Sequence, residues 1–241
     1  MKTAAFFDID GTFYRDSLMI EHFKKLLKYE LVDETIWHAQ LKSKYENWQK
    51  RRGNYDDYMI DLAEAYITSL IGMDQKKMEF VTDQVVTLQG DKVYMCTKER
   101  IEWHKDQGHM VIFISGAPEY LVKKMAAKYG VHDYIGTKYI VDQSGKFTGK
   151  VIRMWDSSSK RMAILNLTEK HNFELSTCYA YGDTHGDIDM FRLVGHPVAI
   201  NPTQELLNAI RDDDNLSRTT EIIVERKDVI YHLNPSVKTN R

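Results

Sequence analysis

Two aspartates separated by one residue, Asp8 and Asp10, close a short apolar run and are followed at once by Gly11 and Thr12. On a strand their spacing has period two, and a bend allowed by Gly11 turns both toward one pocket. Two carboxylates so close do not both ionise comfortably without help, so the pair points to a bound cation or to a shared proton. A calcium loop starting at Asp8 is excluded. It needs a further acidic or amide ligand, then glycine, then a distant glutamate, where this chain has Thr12, Phe13 and Met19.

Three further groups carry chemistry. Ser115-Gly116 ends a second apolar run, His109–Ile114, and offers a hydroxyl and backbone N–H groups at a strand-to-helix turn, which is a phosphate cradle. Lys160 follows Ser157-Ser158-Ser159 and opens a helical pattern, where the helix dipole favours anions, so a lysine there makes sense facing a phosphate. Gly182-Asp183-Thr184-His185-Gly186-Asp187 closes a third apolar run, and its two aspartates suit a hard cation such as magnesium. Taken singly, a Ser-Gly turn is common, and a lysine on a helix is ordinarily solvated; the order and strand-end placement are what make the set specific. The chain holds no G-x-G-x-x-G and no H-E-x-x-H, and Gly145–Lys150 is one residue too short for a phosphate-binding P-loop.

The elements that position these groups follow from hydrophobic pattern. Short apolar runs without polar alternation (4–7, 109–114, 177–181 and 197–200) predict buried strands of a parallel sheet, whose carboxyl ends are where ligands bind in open α/β folds. Between the first two strands lie helical stripes, among them Trp37, Leu41, Tyr45 and Trp48, then Tyr58, Leu62, Tyr66 and Leu70. Tyr139–Val141 and Lys150–Ile152 flank a turn-rich segment and predict a β-hairpin. The residues from about 234 onward are polar and read as a loose tail.

Composition narrows the class. Lys and Arg total 33 against 35 Asp and Glu, which removes the electrostatic reason to expect a nucleic-acid partner or a polybasic membrane surface. Two cysteines, Cys96 and Cys178, are too few for a disulfide framework and are expected reduced. No apolar run reaches the length of a signal peptide or a membrane span, so a cytoplasmic location is expected. The length of 241 residues allows a large core plus an insert.

Asp8-x-Asp10-Gly11-Thr12, Ser115-Gly116, Lys160 and Gly182-Asp183-x-x-x-Asp187 together resemble the four ordered motifs of the haloacid dehalogenase superfamily, across residues from about 3 to 202. The helical insert resembles the C1 cap of its phosphoserine-phosphatase-like branch, subclass IB. The resemblance implies a Rossmann-like α/β core (1–15 and 90–241) and an inserted all-helical cap (16–89). It implies a hydrolase of small phosphate monoesters, with a small phosphorylated metabolite as its partner and Mg2+ as cofactor. Asp8 would be the nucleophile and Asp10 the acid and base. Gly11, Thr12, Ser115 and Gly116 would bind phosphate, and Lys160 would offset charge on the nucleophile and phosphoryl group. The metal would rest on the Asp8 and Asp183 carboxylates and the Asp10 carbonyl, with Asp187 a ligand or an orienter. Arg51 or Arg52 lies near where related caps place an arginine over the site. A phosphotransferase passing the group to an alcohol, and a non-catalytic phosphate-binding or signalling module, are the alternatives. The chain departs from phosphoserine phosphatases at Ser17, where they carry a substrate-recognising glutamate, and at Gly186, where they carry asparagine.

Overall fold

The computed structural model describes residues 2–50, 52 and 55–239. The chain divides into two compact units: Met1–Ser17, Gly90–Thr137 and Arg153–Arg241 form one, Leu18–Gln89 and Lys138–Ile152 the other. Strand β1 (Ala4–Phe7) leads into helices α1 (Leu18–Lys28), α2 (Glu34–Ile36), α3 (Lys42–Gln49), α4 (Tyr55–Leu70) and α5 (Gln75–Gln89). A π-helical stretch, Trp37–Leu41, joins α2 to α3. Then follow α6 (Met95–Asp106), β2 (Met110–Pro118), α7 (Glu119–Tyr129), β3 (Asp133–Val141) and β4 (Phe147–Ile152). The last part runs α8 (Ser157–His171), β5 (Tyr179–Gly182), α9 (Ile188–Leu193), β6 (His196–Ile200), α10 (Gln204–Asp212), α11 (Leu216–Thr219), β7 (Glu221–Arg226) and β8 (Val229–Leu233).

The core sheet has the order β3-β2-β1-β5-β6-β7-β8, parallel except for β8. β1 lies at its centre because all four of its residues are apolar and buried. Ala4 and Phe6 share a cluster with Ala163, Ile164 and Leu167 of α8. On the opposite face Phe7 stacks on Tyr181 with ring centroids 4.0 Å apart. Burying a phenylalanine contributes about 1.5–3 kcal/mol, so this strand is a strong anchor for the aspartate that follows it. The strand order reverses beside β1, and the crevice beyond such a reversal is where open α/β sheets place ligands. The expected strands are all present. β7 and β8 are additional: β7 is flanked by charge, and β8 is largely exposed, so neither gave a buried-strand signal.

The second unit contains the helical segment, but its boundary differs from the sequence expectation. It begins at Leu18, and Lys138–Ile152, which holds the end of β3 and all of β4, belongs to it, where the sequence placed all of 90–241 in the core. The reason is a set of backbone hydrogen bonds between the α4–α5 turn and the hairpin. Gly72 N–H donates to the Phe147 carbonyl (2.8 Å), Phe147 N–H to Met73 (3.1 Å) and Gln75 N–H to Gly145 (2.9 Å). β3 runs from the first unit into the second, where it pairs with β4.

Each unit buries a histidine. In the helical unit His22 meets the Tyr66 hydroxyl at 2.8 Å and Thr82 Oγ1 at 3.2 Å. In the core His104 meets Tyr181 Oη at 2.9 Å and His109 Nδ1 at 2.8 Å. Burial pulls both imidazoles from 6.5 down to about 3. The unfolded chain therefore binds more protons between those values, and the stability held by the neutral rings is complete above pH 6.5 and is lost progressively as pH falls toward 3. Unfolding free energy, followed by urea denaturation, is expected to drop below pH 6.5 by up to about 1.4 kcal/mol per pH unit for each ring. A His22→Asn variant should show a flatter pH dependence; an unchanged slope would refute the assignment.

Candidate active site

The site is built at the carboxyl ends of β1 and β5 and the first turn of α8. Asp8 directly follows β1, and its N–H donates to the Tyr181 carbonyl of β5 (3.0 Å). The chain then turns sharply. The Ile9 carbonyl accepts from the N–H groups of Thr12, Phe13 and Tyr14 (3.2, 2.9 and 2.7 Å), and Gly11 N–H donates to the Tyr14 carbonyl (2.9 Å). Gly11 takes φ +83°, and a Cβ there would lie 2.7 Å from Asp183 Cγ. Glycine is required for the backbone conformation and for the close approach of the Asp183 carboxylate. The turn is pinned by hydrogen bonds from Tyr94 N–H to Phe13 (3.0 Å) and from Arg15 N–H to Lys92 (2.9 Å).

Lys160, in the first turn of α8, sits at the centre of the charge cluster. Its Nζ donates to Asp8 Oδ1 at 2.7 Å and to Asp187 Oδ1 at 2.6 Å, and it is only 4% exposed. α8 is started by Asp156, whose carboxylate accepts from Ser159 N–H (2.8 Å), which fixes where the lysine emerges. Asp187 is fully buried, and its Oδ2 accepts from the N–H groups of Asp183 (3.1 Å) and Thr184 (3.2 Å). Gly182 permits this: a Cβ there would meet Asp187 Cγ and Oδ2 within 2.6 Å. With both oxygens engaged, Asp187 orients the lysine and the Asp183 loop.

The cluster carries more negative than positive charge. Burial raises the Asp8 carboxyl from 3.8 to about 7; Lys160 opposes this and Asp187 adds to it. Asp183 is raised well above the usual carboxylate range by burial and by its neighbours Asp8 and Asp187. Burial alone would lower the Lys160 pKa, but the Asp187 and Asp8 carboxylates outweigh it and leave the ammonium raised. One lysine thus serves several carboxylates. Oxygens of Asp8, Asp183 and Asp187 all lie within 4.8 Å of one another, an all-oxygen donor set with unbalanced charge that fits a hard divalent cation. The Asp10 side chain is not in this set; its Oδ2 accepts from Ser17 Oγ at 2.7 Å.

The structure brings most of the residues singled out in the sequence to this edge of the sheet, but not always in the expected contact. The Thr12 hydroxyl, expected at phosphate, donates to Asp183 Oδ1 (2.9 Å) and so holds a carboxylate of the cluster. Ser115 is fully buried and lies with Gly116 inside β2, which runs on to Pro118, so the strand-to-helix turn expected at this pair falls three residues later; the Ser115 Oγ accepts from Ala117 N–H (3.2 Å). Gly116 backs onto Trp155, whose Cβ would lie 2.9 Å from a Cβ added to the glycine. Trp155 gave no sequence signal, because nothing in its local pattern announces packing against a glycine 39 positions away. In the helical unit Arg52 is exposed, and Arg51 lies outside the described residues. The neighbouring lysines are partly neutralised, Lys44 by Asp61 and Lys50 by Glu46.

If Lys160 is what allows these carboxylates to be buried, Lys160→Met leaves them uncompensated. Chemical denaturation in metal-free buffer should show a loss of about 3–5 kcal/mol. Asp187→Asn in the Lys160→Met background should recover part of it. A loss below about 1 kcal/mol, the scale of an exposed pair, would contradict the reading.

Comparison with known proteins places this geometry. The model of the haloacid dehalogenase-like hydrolase family matches residues 5–192. The inhibition of morphological differentiation protein of Streptomyces azureus is 29% identical over 207 residues, covering 85% of this chain and 74% of that protein. A phosphoserine phosphatase of Mycobacterium tuberculosis is 26% identical over 223 residues, covering 88% and 69%. Among solved structures, a phospho-aspartyl intermediate analogue of phosphoserine phosphatase aligns with a TM-score of 0.60 at 19% identity, covering 94% of this chain and 95% of that one, which bears on the fold. With Asp8, Asp183, Asp187 and Lys160 gathered in one cluster beside the parallel sheet, the chain belongs to the haloacid dehalogenase-like hydrolase family.

Proposed function

We propose that the protein is a Mg2+-dependent phosphatase that acts on a small phosphorylated metabolite through an aspartyl-phosphate on Asp8, in the cytoplasm. The observation that carries this reading is the meeting of Asp8, Asp183 and Asp187 within 4.8 Å, with Lys160 bonded to two of them.

In the first half-reaction an Asp8 oxygen attacks phosphorus, a new Asp8 O–P bond forms, and the bond from phosphorus to the ester oxygen breaks. Asp10, protonated, gives its proton to that departing oxygen. In the second half Asp10, now a carboxylate, takes a proton from a water that attacks phosphorus. The Asp8 O–P bond breaks, and inorganic phosphate and free Asp8 result. Lys160 keeps the Asp8 carboxylate oriented and offsets charge that builds on the phosphoryl oxygens, while Ser115 and Gly116 would bind those oxygens. Mg2+, held by the Asp8 and Asp183 carboxylates and the Asp10 carbonyl, would supply charge neutralisation and keep Asp8 ionised at neutral pH. Phosphoserine itself is disfavoured as substrate, since Ser17 stands where the resemblance expects a recognising glutamate and its hydroxyl is engaged with Asp10.

The test is phosphate release from p-nitrophenyl phosphate, with Mg2+ and with a chelator. Activity should require the metal, Asp8→Asn should fall to background, and Asp10→Asn should lose about 10²–10⁴-fold. Full activity in chelator, or an active Asp8→Asn, would overturn the reading.

A further inference from the structure

The two aspartates of the Asp8-x-Asp10 pair are restrained by different partners. Asp8 is held by Lys160 within the charge cluster. Asp10 is half-buried, with its Oδ2 accepting the proton of Ser17 Oγ at 2.7 Å. Ser17 is fully buried, and its own N–H donates to Asp16 Oδ1 (2.9 Å). The chain between Asp10 and Ser17 has little freedom to relax, because 13–15 is tied to 92–94 by the backbone bonds of Phe13 and Arg15. A serine hydroxyl has one proton to donate, and here that proton goes to the carboxyl proposed to exchange protons with substrate.

We infer that Ser17 is a positioning residue of the reaction: its hydroxyl fixes the rotamer of the Asp10 carboxyl so that the acid reaches the departing ester oxygen. The inference rests on the phosphatase reading above and deepens it. Ser17 exchanges no proton itself. The Asp10 proton passes to the ester oxygen as the phosphorus–oxygen bond breaks, and Ser17 remains bonded to Oδ2 before and after. The contribution of Ser17 is therefore a matter of geometry, and a misplaced acid forfeits rate in proportion to how much the leaving group needs its proton.

That dependence separates positioning from stability. An aryloxide that is a weak base departs with little protonation, whereas a more basic one requires it. Because kcat/KM reports the steps up to formation of the Asp8 phosphoester, it isolates the half-reaction in which Asp10 acts as acid. A role confined to packing would lower every ester alike. A role in positioning would lower the esters of basic leaving groups most.

The experiment compares wild type with Ser17→Ala, Ser17→Cys and Ser17→Thr on p-nitrophenyl, phenyl and p-methoxyphenyl phosphate, with folding checked by circular dichroism. Ser17→Cys keeps nearly the size of the side chain and replaces a good donor with a weak one, so it decides the question if the alanine variant does not fold. We expect kcat/KM in Ser17→Ala and Ser17→Cys to fall about 10–100-fold for p-methoxyphenyl phosphate, with a smaller fall for p-nitrophenyl phosphate. The plot of rate against leaving-group basicity should be steeper than in wild type. Ser17→Thr, which retains the hydroxyl, should restore the wild-type slope. Equal losses across the three esters in the folded Cys variant would overturn the assignment of Ser17 and leave the phosphatase reading standing. A wild-type enzyme inert on all three esters would overturn the phosphatase reading itself.

Discussion

Burying several carboxylates around a single ammonium is the constraint on which the rest of the core depends. Lys160 lies 2.7 Å from Asp8 and 2.6 Å from Asp187, and none of the three is more than a few per cent exposed. Such a group is costly to desolvate unless every oxygen has a partner. The fold supplies those partners from separate places: the first turn of α8 brings the lysine, the loop after β5 brings two backbone N–H groups to Asp187, and Thr12 brings a hydroxyl to Asp183. The remaining charge excess makes the cluster receptive to a divalent cation.

This constraint explains features that are otherwise arbitrary. Gly11 and Gly182 are the points where a carboxylate presses against backbone, and a side chain at either would displace Asp183 or Asp187. β1 is apolar on both faces because its end must not move: Phe6 and Phe7 anchor it to opposite layers, so the Asp8 carboxylate is delivered to a fixed place. The near balance of acidic and basic residues also fits, since affinity for an anion can rest on one lysine, one ion and backbone dipoles without a basic surface.

The fold class and the segments that carry the acidic cluster were legible because both are written locally. An apolar run ending in Asp-x-Asp-Gly-Thr reveals a buried strand and its reactive end in a single short segment. The same holds for Gly182-Asp183, whereas β2 runs past Ser115-Gly116 to Pro118. Elements held by long-range bonds were harder to read. The β3–β4 hairpin was visible as a hairpin, but its membership in the helical unit depends on bonds from Phe147 and Gly145 to Gly72, Met73 and Gln75. β8 escaped because a strand largely open to solvent has no buried face to mark it.

The sequence by itself determined which residue types were present to do chemistry, their order along the chain, and the strand ends that carry them, since backbone periodicity and turn residues are short-range properties. Only the tertiary structure decided the partner of each group. It sent the Thr12 hydroxyl to Asp183, the Ser17 hydroxyl to Asp10, and both oxygens of Asp187 to Lys160 and backbone. Hydrogen bonds are satisfied by whatever folding brings within about 3 Å, and that distance is set by how the strands and helices pack.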